Sequence, residues 1–300
     1  MSLLREQQLG LESAGAAVVY ARAMRFAVRH ETLYRYSVPV VLAPHVLRLT
    51  PRSREQIRTR SLVVWPEPVD VREENDAYGN RITRVQFSEQ ATQELRIESR
   101  FELETSPPQP ALEPSERLPW TRLPADDLAV YRPGDASVDP AVIAFAKEVA
   151  AEVGQQPLAF LDHLCRTMHA RADKQVRTSG DAQAAADTLA SWQGACRDFT
   201  VLFLAAARSL GMPARFCSGY QSTADTPDGR RYLHAWPEVF VPGTGWRGWD
   251  PTHGVAAGEG HVALCAAPDQ AGTMPVAGGF TFNGPSVNST LDFDLRITTS

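Results

Sequence analysis

The sequence predicts an α+β protein: an N-terminal antiparallel β-sandwich, then helices packed on a second antiparallel sheet, then a β-rich tail. Three observations carry this. Between Phe26 and Glu104, short runs alternate apolar and polar residues and are rich in β-branched and aromatic side chains. Between Asp139 and Leu210 the apolar spacing becomes helical. Past Pro213 the strand pattern returns and continues to the C terminus.

The N-terminal runs are FAVRHETLYRYSV, HVLRLTPR, RTRSLVVWPEPV, DAYGNRITRVQF and QELRIESRFELE. Asp76 to Asn80 reads as a turn, with Gly79 and Asn80 able to take positive φ. Seven prolines then fall between Thr105 and Gly134, the composition of an extended connector. Asp139 and Pro140 form an N-cap and first-turn pair that opens a helix. A second helix, about Leu158 to Ala172, carries Leu161, Leu164, Cys165 and Met168 on one face, so Cys165 reads as core. A third runs from about Ala184 to Gln193. A fourth opens near Cys196 and is apolar nearly all round, which marks a central helix ending at Gly211 and Pro213. ARFCSGYQS, RRYLHAWPEVFV and GWRGWDPTHG follow as strands.

Composition narrows the function. The chain has 300 residues, 43% hydrophobic and 22% charged, with a net charge of −5. That size supports a core without disulfides or metals, and the charge leaves no basic footprint for nucleic acid or anionic lipid. Cys165, Cys196, Cys217 and Cys265 form no C-x-x-C pair and no Cys/His cluster, so neither a structural zinc nor a disulfide framework is expected. A reducing cytoplasm is the expected location. No run approaches the ~20 apolar residues of a membrane span. Glu6 and Glu12 argue against a signal peptide, so residues 1–23 are expected to be a disordered extension.

Cys196 stands out by its position. A thiol in the first turn of a helix meets backbone N–H groups and the helix dipole, which lower its pKa from ~8.5 toward 3.5–7.5. Gly194 leaves the approach to the Cys196 N–H open, where that amide can serve an oxyanion. A thiolate nucleophile needs a base and a group to orient it. His234 and Asp250 lie in consecutive strands joined around Pro242-Gly243-Thr244-Gly245. A four-residue loop would set them on opposite faces, so a three- or five-residue loop or a bulge is expected. Trp192, Gln193 and Trp236 are candidates for oxyanion or substrate positioning, with Trp192 more simply packing beneath the site. Trp236, Trp246 and Trp249 would favour amine transfer if they screened a thioester from water. Arg197 and Asp198 read as helix-terminus surface charge, His253 as a solvated loop residue, Cys217 as structural, and Glu238 as an ion-pair partner for Arg215.

These blocks carry a resemblance. GACRDFTVLFLAAARSLGMPARFCSGYQ followed by HAWPEVFVPGTGWRGWDPTHG resembles the core of the bacterial transglutaminase-like superfamily, in its cysteine-protease branch. RHETLYRYSVPVVLAPHVLRLTPR and DAYGN resemble that branch's N-terminal β domain. The resemblance implies a papain-like core with Cys196 as nucleophile, His234 as general base and acid, and Asp250 as orienting carboxylate. It implies thiol acyl transfer on an amide, most simply peptide or isopeptide hydrolysis, with no metal or cofactor and a protein or peptide as partner. Amine transfer is the alternative, and a catalytically silent peptide-binding module would be marked by loss of a triad member. Two blocks depart from the family: Val201 stands where relatives often carry histidine, and in the tail only Asp269 matches a Gly-Arg-Asp-Tyr block. These departures bear on substrate choice. The expected organisation is a β domain over 24–104, a connector over 105–134, a catalytic core over 135–260 and a tail over 261–300.

Overall fold

The computed structural model describes residues 23–53, 56–123, 125–132, 138–223, 226, 228 and 230–300. The expected N-terminal extension lies outside the described residues except for Ala23. The architecture is α+β.

Six strands open the chain: β1 (Met24–Leu42), β2 (His45–Leu47), β3 (Ile57–Trp65), β4 (Asp70–Asn75), β5 (Arg81–Gln86) and β6 (Thr92–Thr105). Along β1 buried and partly exposed residues alternate, as a strand with one face on a core requires. Four helices follow: α1 (Pro140–Glu152), α2 (Pro157–Arg171), α3 (Ala185–Ser191) and α4 (Cys196–Ser209). Two-residue strands β7 (Asp173–Lys174) and β8 (Gln193–Gly194) pair in parallel. The core strands are β9 (Ala214–Gln221), β10 (His234–Val241), β11 (Gly245–Asp250), β12 (Val255–Ala257) and β13 (His261–Ala267). The chain closes with β14 (Val276–Ala277), β15 (Phe280–Phe282) and β16 (Ser289–Thr299).

The expected tail divides between two sheets. Its first strand, β13, completes the core sheet in the order β12-β11-β10-β9-β13. Its last strands return to the sandwich: β15 and β16 pair with β1, and β14 with β2. The sandwich therefore closes only with the C terminus. It also shares its core with the second sheet, since Tyr220 of β9 and Val262, Leu264 and Cys265 of β13 pack with Phe26, Ile97 and Phe101. Helices cover the other face of the core sheet through Phe199, Leu202, Phe203 and Ala206 of α4.

Local chemistry fixes the joints. Asp139 caps α1 by accepting from the Ala141 N–H at 2.8 Å. Asp76 accepts from the amides of Tyr78 and Asn80, with Gly79 at φ +74°. The turn then reaches across the molecule: Asn80, fully buried, accepts from Ala266 N–H at 2.8 Å and donates to Ala266 O at 2.9 Å. That pair ties the sandwich to β13. The proline-rich connector wraps the helical side. Leu118 and Trp120 are buried in the helical core, and the Trp120 N–H donates to Leu210 O. Among the described residues, none of the connector's lines the cavities that reach Cys196.

Candidate active site

Cys196 is the first residue of α4, as its sequence setting predicts, and it is partly buried. Its approach is built with care. Trp192 ends α3 in the left-handed conformation at φ 55°, and β8 pairs beside β7 before the helix begins. Asp198 is a correction to the sequence reading: it is fully buried rather than a surface charge. Its carboxylate accepts from Ala195 N–H at 2.6 Å and Gln183 N–H at 2.8 Å, and Arg177 lies 3.3 Å away. This fixes why residue 194 is glycine. A Cβ there would stand 2.8 Å from the Asp198 Cβ. Arg197 donates to the carbonyls of Arg177 and Ser179, holding that loop at the rim of the cleft. Asp198→Ala strands two amides, so we expect unfolding in urea to show a loss of about 2–3 kcal/mol, with Asp198→Asn losing less.

The strand register brings the second and third residues together. Val241 pairs with Gly245, a three-residue loop of the odd length expected if His234 and Asp250 share a face. Glu238 pairs with Gly248, and continuing that register sets Asp250 diagonal to His234 on one face. The His234 ring donates from Nε2 to Asp250 Oδ2 at 2.8 Å. Cys196, His234 and Ala235 line one cavity, and both the His234 ring and the Ala235 backbone draw the Cys196 thiol toward its ionised form.

The electrostatics favour an ion pair. Burial pushes the Cys196 thiol up, but the hydrogen bond and charge of His234, with the Ala235 amide, bring it below its ordinary value. Burial pulls His234 down, but the charge and hydrogen bond of Asp250, then those of Cys196, raise it to about 10. Asp250 is fully buried, a cost its histidine partners overcome, and its carboxyl is held well below the usual range. The other three thiols are raised by burial, so Cys196 is the one cysteine shifted toward thiolate.

The structure adds two histidines to this carboxylate. His253 Nδ1 and His261 Nε2 donate to the same Asp250 Oδ2 at 2.8 and 3.0 Å, while the Thr252 and His253 amides bond Oδ1. His253 is thus partly buried and bonded to the carboxylate, and not a solvated loop residue. Ligand atoms of His234, Asp250 and His261 lie within 4.8 Å of one another, a span a metal ion can bridge. Here both nitrogens are spent on one carboxylate oxygen.

The remaining candidates sit farther back. Trp236 is buried beneath His234, the rings 6.0 Å apart at 29°, with the edge of His261 5.1 Å away. Trp192 packs edge-on against Phe145 and under Arg171, and Gln193 donates to Asp173. Trp249 stacks on Phe203, and Trp246 lies under Arg215, which pairs with Glu238 as expected. None of these tryptophans lines the cavities reaching Cys196, so the aromatic screen that would favour amine transfer is not built from them. Asp269 is exposed and bonds the Gly272 amide.

Comparisons with known proteins agree with this construction. Residues 26–104 match the family model of the bacterial transglutaminase-like N-terminal region, and residues 143–251 that of the transglutaminase-like superfamily. The second match spans Cys196, His234 and Asp250. An uncharacterized protein of Mycobacterium leprae is 28% identical over 289 residues, 91% of this chain and 98% of that protein. One from Mycobacterium bovis is 27% identical over 292 residues, 91% and 92% of the two chains. Among solved structures, a proposed cysteine protease from Cytophaga hutchinsonii has a TM-score of 0.68 at 20% identity, covering 93% of this chain and 91% of its own, and shares the fold.

Proposed function

We propose that this chain, a member of the transglutaminase-like superfamily, is a cysteine-dependent acyl-transfer enzyme that hydrolyses amide bonds of a peptide or isopeptide. The observation that carries this reading is the His234 ring, held by Asp250 Oδ2 at 2.8 Å, in the wall of the same cavity as Cys196 at the start of α4.

The Cys196 thiolate attacks the amide carbonyl carbon, and the developing oxyanion is offered the Cys196 N–H, an amide that the first turn of α4 does not use. The carbon–nitrogen bond breaks as the His234 imidazolium gives its proton to the departing amine, leaving a thioester. Neutral His234 then takes a proton from water, whose oxygen attacks the thioester. The carboxylic acid leaves, and the thiolate–imidazolium pair is restored. Asp250 holds the ring's orientation and stabilises its charge throughout. Hydrolysis is preferred to amine transfer because Trp236, Trp246 and Trp249, the tryptophans that would screen the thioester, do not line the cavities at Cys196.

The ion pair fixes the pH profile. Activity should rise as the thiolate forms, below the ordinary thiol value, and fall near pH 10, where His234 loses its raised proton. Alkylation of the thiol should persist above that limb, since the thiolate remains. Parallel profiles of kcat/KM on a peptide amide and of iodoacetamide labelling check this. An alkaline limb near the ordinary histidine value of ~6.5 would contradict it.

A further inference from the structure

Two cavities reach Cys196, and their chemistry differs. The larger, about 330 Å³, is walled by both halves of the molecule: Tyr34 of β1, Val276 of β14, Leu291 and Phe293 of β16, and Tyr232 and Leu233 ahead of β10. Leu291 and Phe293 are 47% and 38% exposed, although they are large apolar groups. Phe293 meets Tyr232 edge-on with centroids 5.7 Å apart. Among the described residues no carboxylate lines this cavity. His30, which does, bonds the Tyr220 hydroxyl at 2.8 Å, and burial lowers it to about 4, so it is neutral. Arg177 is occupied by Asp198 and the Asp181 carbonyl, and two of the Arg197 guanidinium nitrogens by backbone carbonyls. The cavity offers a charged side chain little in exchange for its hydration.

The smaller recess, about 90 Å³, shares Arg177, Cys196, Arg197, Tyr232, Leu233 and His234 with the first, lacks the β1, β14 and β16 walls, and adds polar groups that include Gln221, Thr252 and His253. Three atoms of its lining residues, Arg197 Nε, Thr252 Oγ1 and His253 Nε2, are buried without a hydrogen-bond partner among the described residues. Buried polar atoms are rarely left so. In the tautomer that donates Nδ1–H to Asp250, His253 Nε2 is an acceptor. Thr252 Oγ1 both donates and accepts. Such a recess suits an amine N–H or a water molecule.

We infer that the substrate amide carries an apolar side chain, aromatic or branched, on its acyl side in the larger cavity, and that its amine side enters the polar recess. This inference rests on the acyl-transfer reading of Cys196. The departing amine must collect its proton from His234, which lines the recess. The acyl group stays on the sulfur, facing the apolar walls. A volume of 330 Å³ is at the low end of small-ligand pockets, about 300–1,000 Å³. It admits one or two residues of an extended peptide. The sandwich and the returning tail thereby select the substrate, since β1, β14 and β16 supply the apolar wall.

N-acyl chloromethyl ketones of phenylalanine, leucine, aspartate and lysine test this, because each alkylates a thiol beside its own acyl-side residue. Labelling of Cys196 is followed by mass spectrometry in the wild type, Phe293→Ala and Leu291→Ala, and each rate is divided by the iodoacetamide rate of the same protein. The Phe and Leu ketones should label at least about 10-fold faster than the Asp and Lys ketones, and the alanine variants should narrow that ratio several-fold. Asp or Lys ketones labelling as fast as the apolar ones, or a ratio unmoved in both variants, overturns the inference. If instead iodoacetamide itself labels wild-type Cys196 only near the ordinary thiol pKa, the acyl-transfer reading fails, and this inference falls with it.

Discussion

His234→Ala should lower amide turnover by about 10,000-fold, close to the loss from Cys196→Ala, because members of such a relay act as a unit. Burial alone would push the Cys196 thiol up; the His234 hydrogen bond and charge are the leading forces opposing it. Without the imidazole the thiol is left in a half-buried site with the Ala235 amide as its remaining stabiliser. It should then ionise above its unperturbed value of ~8.5 rather than below it. The departing amine also loses its proton donor. Release of nitrophenol from an activated ester separates the two effects, since that leaving group needs no proton. The ester rate in His234→Ala should follow the thiolate fraction, whereas the amide rate should fall further. Equal losses on ester and amide would mean that His234 only activates the thiol.

Asp250→Asn should cost about 1,000- to 10,000-fold in kcat/KM and several kcal/mol of stability, about 3–5, as when one partner of a buried pair is removed. The reason lies in the donor count. Three histidine nitrogens bond Oδ2 and two backbone amides bond Oδ1, so the site demands two acceptor oxygens. An asparagine amide supplies one. Turned either way, its NH2 group faces donors. The loss of charge also removes the largest force raising His234, whose burial then lowers it. Iodoacetamide labelling at neutral pH should slow, and urea unfolding should shift to lower concentration. Unchanged labelling would mean that another group keeps His234 charged.

Parts of this arrangement were legible in the sequence for physical reasons. Cys196 at the mouth of an all-apolar helix is a local pattern, and α4 opens there. The odd hairpin loop follows from the side-chain period of two, once His234 and Asp250 are required to share a face. What escaped has no local signature. His253 looks like a loop residue because its sequence does not show the turn in which the His253 and Gly254 amides bond the Asp250 carbonyl and swing the ring back. His261 reaches the carboxylate from β13, a strand placed two positions from β10 by pairing with β9, with a register shift between Ala263 and Cys265. Both histidines also lie past the stretch matched to the superfamily. Asp198 reads as an ordinary first-turn acid, and only the fold shows the loop that buries it. The β4 strand went unread because DVREEN holds Val71 as its one apolar residue among the exposed positions and owes its form to pairing with β5. The tail's strand pattern was visible, but its partners in β1 lie more than two hundred residues earlier.

On this reading the free protein holds a thiolate at Cys196 because His234 is charged beside it. The most direct test is the rate of iodoacetamide alkylation at Cys196 across pH, read by mass spectrometry in the wild type and in His234→Ala, with Cys196→Ala as the blank. Rapid wild-type labelling is expected well below the unperturbed thiol value of ~8.5, with that low-pH reactivity lost in His234→Ala. Wild-type labelling that appears only near that value, and that His234→Ala leaves unchanged, would mean that the free protein holds no thiolate–imidazolium pair and point to a peptide-binding module on this fold.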